Sequence, residues 1–201
     1  PWEVLDPNVL DLLYVVRREE FVPQAYRQLA FADTEIPLGH DATMLPPKIE
    51  ARALQALKIR KSDRVLEIGT GSGYMAALLA AHAAHVWTVE IVPELAEAAA
   101  SRFKRMGIHN IGVSHGDASA GWPAQAPYDV IMVSGALPEL PKSLLDQLKT
   151  GGRLLGFVGE APLMEARLIT RRSDREFESR VLFETQVPPL TSTRQARPFS
   201  L

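Results

Sequence analysis

Cysteine is absent from the 201 residues, which excludes disulfide staples and thiolate chemistry and fits a reducing compartment. An excess of charge of either sign is missing too. The 22 basic and 24 acidic side chains leave −2 at pH 7, and no block of Lys or Arg marks a surface for nucleic acid or an anionic membrane. No apolar run approaches the roughly 18 to 20 residues of a membrane-spanning helix. The five histidines, His40, His82, His85, His109 and His115, have no metal-ligand spacing, so no metal site is expected. Internal repeats and low-complexity tracts are lacking as well. These absences leave a cytoplasmic globular protein without nucleic-acid or membrane partners as the expectation, and they do not define its oligomeric state. The chain opens at Pro1 without a methionine or an apolar leader. The expectation is that further residues precede Pro1 in the full protein and cover part of the ligand pocket.

What is present suits one core. Asp6 and Pro7 offer a cap and a first-turn proline, and Val9, Leu12, Leu13 and Val16 then fall on one helical stripe. Residues 21–45 read as irregular. Pro46 and Pro47 open a second helix, with Ile49, Ala53, Leu54 and Leu57 as its buried face. From Arg64 the pattern changes to short apolar strands (64–68, 85–90, 111–116, 128–134, 152–159) alternating with amphipathic helices (74–83, 93–106, 141–149), closed by Gly107 and Gly151. That alternation predicts a mainly parallel sheet covered on both faces. Residues 165–173 and 177–190 follow with no helix between them, so they should pair antiparallel at one edge. No linker divides the chain. The expectation is a single domain over 1–201, with a helical and loop cap (1–58), an α/β core (59–160) and antiparallel C-terminal strands (161–201).

The segment "EIGTGSGY" follows one strand and opens a helix. Its glycines, Gly69, Gly71 and Gly73, let the backbone turn sharply and approach a ligand beyond the carboxyl ends of the strands. A dinucleotide fingerprint would place its third glycine at position 74, which is tyrosine here. The pattern is instead E-x-G-x-G-x-G. Glu90 ends the next strand, placed to accept from two ribose hydroxyls, and Asp117 in "HGDA" ends the one after, placed to accept from an adenine amino group. A nucleoside without phosphates fits this arrangement best. Trp87 and Trp122 read as packing residues.

These residues resemble those of S-adenosylmethionine-dependent methyltransferases, and more narrowly the protein-L-isoaspartate O-methyltransferase family. The resemblance runs through "RREEFVP", "AFADTEIPLGH", "DRVLEIGTGSGYMAALLA", "GDASAGWPAQAPYDVIMVSGALPELPKSLLDQLKTGGRL" and "LFETQVPPL". It implies a Rossmann-like class I methyltransferase fold with a mostly parallel seven-stranded sheet. It also implies S-adenosyl-L-methionine as donor, S-adenosyl-L-homocysteine as product, and methylation of isoaspartyl carboxylates in damaged peptides or proteins as a repair step. By position it assigns the cofactor to Glu67, Gly69, Thr70, Gly71, Ser72, Gly73, Glu90, Ile91, Asp117, Ala118 and Ser134. Thr43, Ser134 and Gly135 are assigned to the site of reaction.

One stretch departs from the pattern. Where family members resemble G-H-G-Q-T-I-S-Q-P, residues 39–47 read "GHDATMLPP". Thr43 remains, Leu45 stands for the serine, Asp41 and Ala42 for Gly-Gln, and Pro46 removes a backbone donor. A carboxylate nucleophile is already ionised at neutral pH and needs no general base, so these changes cost orientation and not an essential proton acceptor. Asp41 in addition sets a negative charge near an anionic substrate, unless it points to solvent while Leu45 packs in the core. Three outcomes are open: isoaspartyl transfer that is weak or oriented by other groups, the same fold with a different acceptor, or cofactor binding with little catalysis.

Overall fold

The computed structural model describes residues 3–193; residues 1–2 and 194–201, the extremes of the expected cap and C-terminal regions, lie outside them. The first helix, α1 (Pro7–Val15), begins as its sequence predicts: the Asp6 carboxylate caps Asn8 N–H at 2.9 Å and Pro7 occupies the first turn. Val9 and Leu12 are buried. Gln55 ties this start down, its Oε1 accepting from Leu5 N–H and Asp6 N–H.

The stretch read as irregular contains a hairpin, β1 (Ile36–Gly39) and β2 (Ala42–Met44), paired antiparallel. His40 and Asp41 form its turn with φ of 52° and 57°, the left-handed conformation that the tightest hairpin turns require and that Asp tolerates better than most residues. Helix α2 (Pro47–Leu57) follows directly, with Ile49, Ala53, Leu54 and Leu57 buried.

The core is β3 (Arg64–Ile68), α3 (Tyr74–Ala80), β4 (His85–Glu90), α4 (Pro93–Arg105), β5 (Ile111–His115), β6 (Tyr128–Leu137), α5 (Lys142–Leu145), β7 (Leu148–Glu160), β8 (Leu163–Arg171) and β9 (Phe177–Thr185). The seven-stranded sheet has the order β5-β4-β3-β6-β7-β8-β9. The pairs from β5 through β7 are parallel, while β7–β8 and β8–β9 are antiparallel. The central strands β3 and β6 read as near-continuous apolar runs because both their faces are covered. Trp87 and Trp122 pack at the margin of the second core cluster.

Two sequence expectations are corrected. The helix expected over 141–149 is only Lys142–Leu145, because Leu148 joins the sheet opposite Tyr128 and Tyr128 N–H donates to Gln147 O at 2.8 Å. Sheet pairing outweighs helical periodicity there, and Gly151 (φ +80°) absorbs the resulting shift of register. The strand expected over 177–190 stops at Thr185. Pro188 and Pro189 have no N–H to donate to a ladder, and the chain instead turns back to β6, where Ala136 N–H donates to Pro188 O and Leu190 N–H to Ala136 O, both at 2.9 Å.

Candidate active site

At the carboxyl ends of β3, β4, β5 and β6 lies a cleft with about 630 Å³ of space, its mouth included. The strand order reverses here, since the chain steps outward from β3 through β4 to β5 and then crosses back to lay β6 on the other side of β3, and a crevice at such a point is where open α/β sheets take ligands. Its walls include Gly69, Gly71, Glu90, Ile91, Asp117, Ala118, Ser134 and Gly135, with Ala42, Thr43 and Leu45 from the hairpin side. A smaller inner cavity of about 280 Å³ adjoins it, bounded by Thr43, Met44, Leu45, Glu50, Glu67, Thr70, Ser72, Met75 and Ser134.

The glycine loop is built as a cradle. Gly69 and Gly71 have φ of +91° and +50°, so any side chain there would be strained. A Cβ on Gly71 would also press on Leu38 at 3.2 Å. Gly73 has the same left-handed backbone for a different reason: it lines neither cavity, and a Cβ on it would strike Phe103 of α4 at 2.7 Å. Its place in the loop is explained by helix packing. Ser72, just before the Gly73 cap of α3, accepts from Tyr74 N–H at 3.2 Å.

Glu90 is 6% exposed. Its two oxygens accept from Gly71 N–H at 2.8 Å and Val92 N–H at 3.0 Å. Each oxygen keeps a lone pair, so the carboxylate can both brace the loop and accept from a vicinal diol. Asp117 stands exposed at the rim. The backbone N–H of Ser119 at 2.9 Å and the hydroxyls of Ser119 and Ser192 hold its carboxyl below the usual range.

Glu67 is fully buried and is reached from the inner cavity, not from the main cleft. Burial pushes its pKa up to about 8, the hydroxyls of Thr88 and Ser134 pull it back, and the nearby charge of Glu90 raises it further. Thr88 Oγ1 donates to Glu67 Oε2 at 2.7 Å and Ser134 Oγ to Oε1 at 3.0 Å. Thr70 continues the chain, its Oγ1 lying 2.6 Å from that of Thr88.

The divergent hairpin contributes three residues to the cleft. Asp41 is exposed at the turn and lines neither cavity, whereas Leu45 is 5% exposed, packs in the main core and faces both cavities. Thr43 lines both cavities too, and its hydroxyl donates to Glu35 Oε2 at 3.3 Å. Behind the hairpin, Arg18 is 1% exposed. It pairs with Glu50, donates to Leu45 O at 2.6 Å and Ala30 O at 2.7 Å, and lies over the Tyr74 ring. Burial lowers the Arg18 pKa to about 10, which still leaves it charged at neutral pH.

Residues that sequence reasoning missed sit mostly on the returning C-terminal segment. Pro188, Pro189, Leu190, Thr191 and Ser192 wall the cleft, with Leu190 against Gly69 and Gly135: Cβ atoms there would meet its Cδ2 at 3.3 and 2.8 Å. The paired prolines, which no central ladder accepts, were the available signal. Among the described residues no group of three or more His, Asp or Glu is placed to hold a metal ion, and no helix is long and apolar enough to cross a membrane.

Comparison with known proteins agrees with this architecture. Residues 3–195 match the family described as protein-L-isoaspartate(D-aspartate) O-methyltransferase. The chain is 43% identical over 188 residues to a protein-L-isoaspartate O-methyltransferase of Rhodopseudomonas palustris, covering 93% of this chain and 86% of the relative. It is 45% identical over 156 residues to one of Myxococcus xanthus, covering 78% and 74%. Among solved structures, a protein-L-isoaspartate O-methyltransferase superposes with TM-score 0.81 at 28% identity over 92% of this chain and 61% of that one. A putative Plasmodium falciparum enzyme of the same name, in complex with S-adenosyl-L-homocysteine, shares the fold with TM-score 0.78 at 21% identity over 94% and 92%.

Proposed function

The chain belongs to the protein-L-isoaspartate(D-aspartate) O-methyltransferase family, an S-adenosylmethionine-dependent enzyme family, and from that premise we propose that it methylates the free carboxylate of isoaspartyl residues in damaged peptides or proteins. The observation that carries the reading is the joint placement of a left-handed glycine cradle, the braced carboxylate of Glu90 and the rim carboxylate of Asp117 around one cleft. These groups fit a nucleoside with a free diol and an exocyclic amine: among the described residues no Lys or Arg lines the cleft to meet a phosphate, and both carboxylates would repel one.

In this reading Glu90 accepts from the ribose hydroxyls, Asp117 from the adenine amine, and Gly69 and Gly71 allow close backbone approach. When bound, the cofactor supplies an electrophilic methyl group on a sulfonium. The protein's own task is then positioning and exclusion of water, since a carboxylate acceptor is ionised at neutral pH and no general base is required. Leu45 and Leu190 give the cleft dry walls, which strengthen each remaining electrostatic contact. Thr43 and Ser134, the two hydroxyl side chains that line both cavities, are the residues assigned here to the acceptor end. A chain without cysteine and without a basic patch matches a cytoplasmic enzyme acting on proteins and not on nucleic acid.

A second reading, the same transfer to a less anionic acceptor, draws on one observation: Thr43 already donates to the Glu35 carboxylate, and Ala42 and Leu45 add no donors. A methyl-transfer assay on an isoaspartyl peptide beside its aspartyl counterpart separates the two. Transfer confined to the isoaspartyl form supports the first reading. No transfer to either, with S-adenosylmethionine bound, overturns it; transfer to an uncharged acceptor is then what supports the second.

A further inference from the structure

Four polar groups beneath the glycine loop share one set of protons. Ser134 has a single hydroxyl hydrogen and gives it to Glu67 Oε1; Thr88 gives its own to Oε2. The hydrogen between Thr88 and Thr70 must therefore come from Thr70. While Glu67 is ionised, all three hydrogens point toward it. Thr70 and Ser134 both line the inner cavity, and in that state they turn only lone pairs to it.

Protonation of Glu67 reverses the pattern. A carboxylic proton on Oε1 is donated to Ser134, whose own hydrogen is displaced into the cavity. A proton on Oε2 is donated to Thr88, which turns its hydrogen to Thr70 and frees the Thr70 hydrogen instead. Either way the inner cavity gains one hydroxyl donor and loses one negative charge behind it. The ionised arrangement suits a positive group and the neutral one does not.

We propose that Glu67 couples ligand charge to a proton: an ammonium-bearing ligand in the inner cavity drives Glu67 to its carboxylate, one proton leaves for solvent, and Thr70 and Ser134 become acceptors for that ammonium. The proposal rests on the cofactor reading given above. The charged neighbours support it. Glu90 at the end of β4 and Glu50 from α2 face the same region, Arg18 neutralises Glu50, and the remaining walls, Met75 of α3 and Ser134 of β6, carry no charge. Among the described residues no cation pairs with Glu67 to hold it ionised in advance; Arg102 of α4, the cation bound to the loop above, donates to Ser72 O at 2.7 Å. Burial accordingly leaves it with a pKa of about 8 and largely protonated at neutral pH. Glu67 acts here as a positioning residue through Ser134 and Thr70.

Titration calorimetry of the native chain with S-adenosylhomocysteine, in two buffers of different ionisation enthalpy, reads the proton directly. The expected result is release of close to one proton at pH 7 and affinity that rises toward tenfold per pH unit from pH 6 to 8, then levels off. 5′-Methylthioadenosine, which keeps the nucleoside and lacks the ammonium, should bind without proton release. In Glu67→Gln, S-adenosylhomocysteine should lose its pH slope and at least tenfold in affinity, while methylthioadenosine binds as before and reports an intact fold. Binding of both ligands with no proton released, or the same slope in Glu67→Gln, overturns the coupling and leaves the cofactor reading standing. Failure of both to bind the native chain overturns the two together.

Discussion

Glu90 illustrates how one side chain serves local structure and ligand at once. Its oxygens hold Gly71 N–H and Val92 N–H, so Glu90→Ala removes both a loop brace and the acceptor for a diol. A charge-assisted hydrogen bond contributes about 1.5 to 3 kcal/mol, and calorimetry should find S-adenosylhomocysteine weakened about ten- to a hundredfold; unchanged affinity would remove Glu90 from the ribose. Glu67 makes a separate prediction about stability. Burial raises its folded-state pKa from 4.5 to about 8, so the unfolded chain gives up the proton first. Stability is therefore full below pH 4.5 and is lost as pH rises through 8. Glu67→Gln cannot ionise and escapes that loss. Thermal melts should show the variant gaining on the native chain between pH 5 and pH 8 by several degrees, at roughly 2 to 4 °C per kcal/mol for a chain of this size.

The hairpin β1–β2 is held from behind by Arg18 and capped in front by its turn. Leu45 is in the core, so Leu45→Ser exchanges buried hydrocarbon for a hydroxyl and should destabilise by about 2 to 4 kcal/mol in denaturant titration, whatever it does to turnover. Asp41 is exposed and borders neither cavity. Asp41→Gly should leave KM for an isoaspartyl peptide within about threefold at physiological salt, because water and salt screen the charge of an exposed side chain that does not line the cleft; a larger fall in KM would place Asp41 against the substrate. The sequence showed that "GHDATMLPP" differs from the family pattern, and it did not show which differences reach the cleft. Arg18→Met leaves Glu50 buried without its partner and Leu45 O without its donor. A destabilisation of about 3 to 5 kcal/mol is expected, largely recovered in Arg18→Met/Glu50→Leu, because the uncompensated charge and not the missing pair carries the penalty.

Across the whole molecule the last described residues complete the cleft. After the antiparallel edge β8–β9, the chain returns over β6 and sets Leu190 on Gly69 and Gly135. Ser192 reaches the Asp117 carboxyl from the same segment. Leu190 is only partly buried, so Leu190→Ala should cost little global stability while weakening S-adenosylhomocysteine about three- to tenfold, in proportion to the roughly 1 kcal/mol that its apolar surface contributes against a bound ligand. A loss of unfolding free energy as large as the loss of binding free energy would make this segment a plain structural element.

The sequence by itself determined the sheet, the glycine cradle and the family. Alternating strands and helices leave few topologies once handedness is fixed, and left-handed backbone at Gly69 and Gly71 follows from a motif that only residues without Cβ satisfy. Tertiary structure alone decided the rest, because pairings between residues far apart in the chain leave no local periodicity. Leu148 left its helix to pair with Tyr128; Pro188–Leu190 crossed to Ala136 and not to the neighbouring strand. Arg18 found Glu50 and Leu45 across the N-terminal cap. Glu67 was legible as an acid before the glycines, but its three ordered hydroxyls come from β4, β6 and the loop after β3 meeting in one desolvated place.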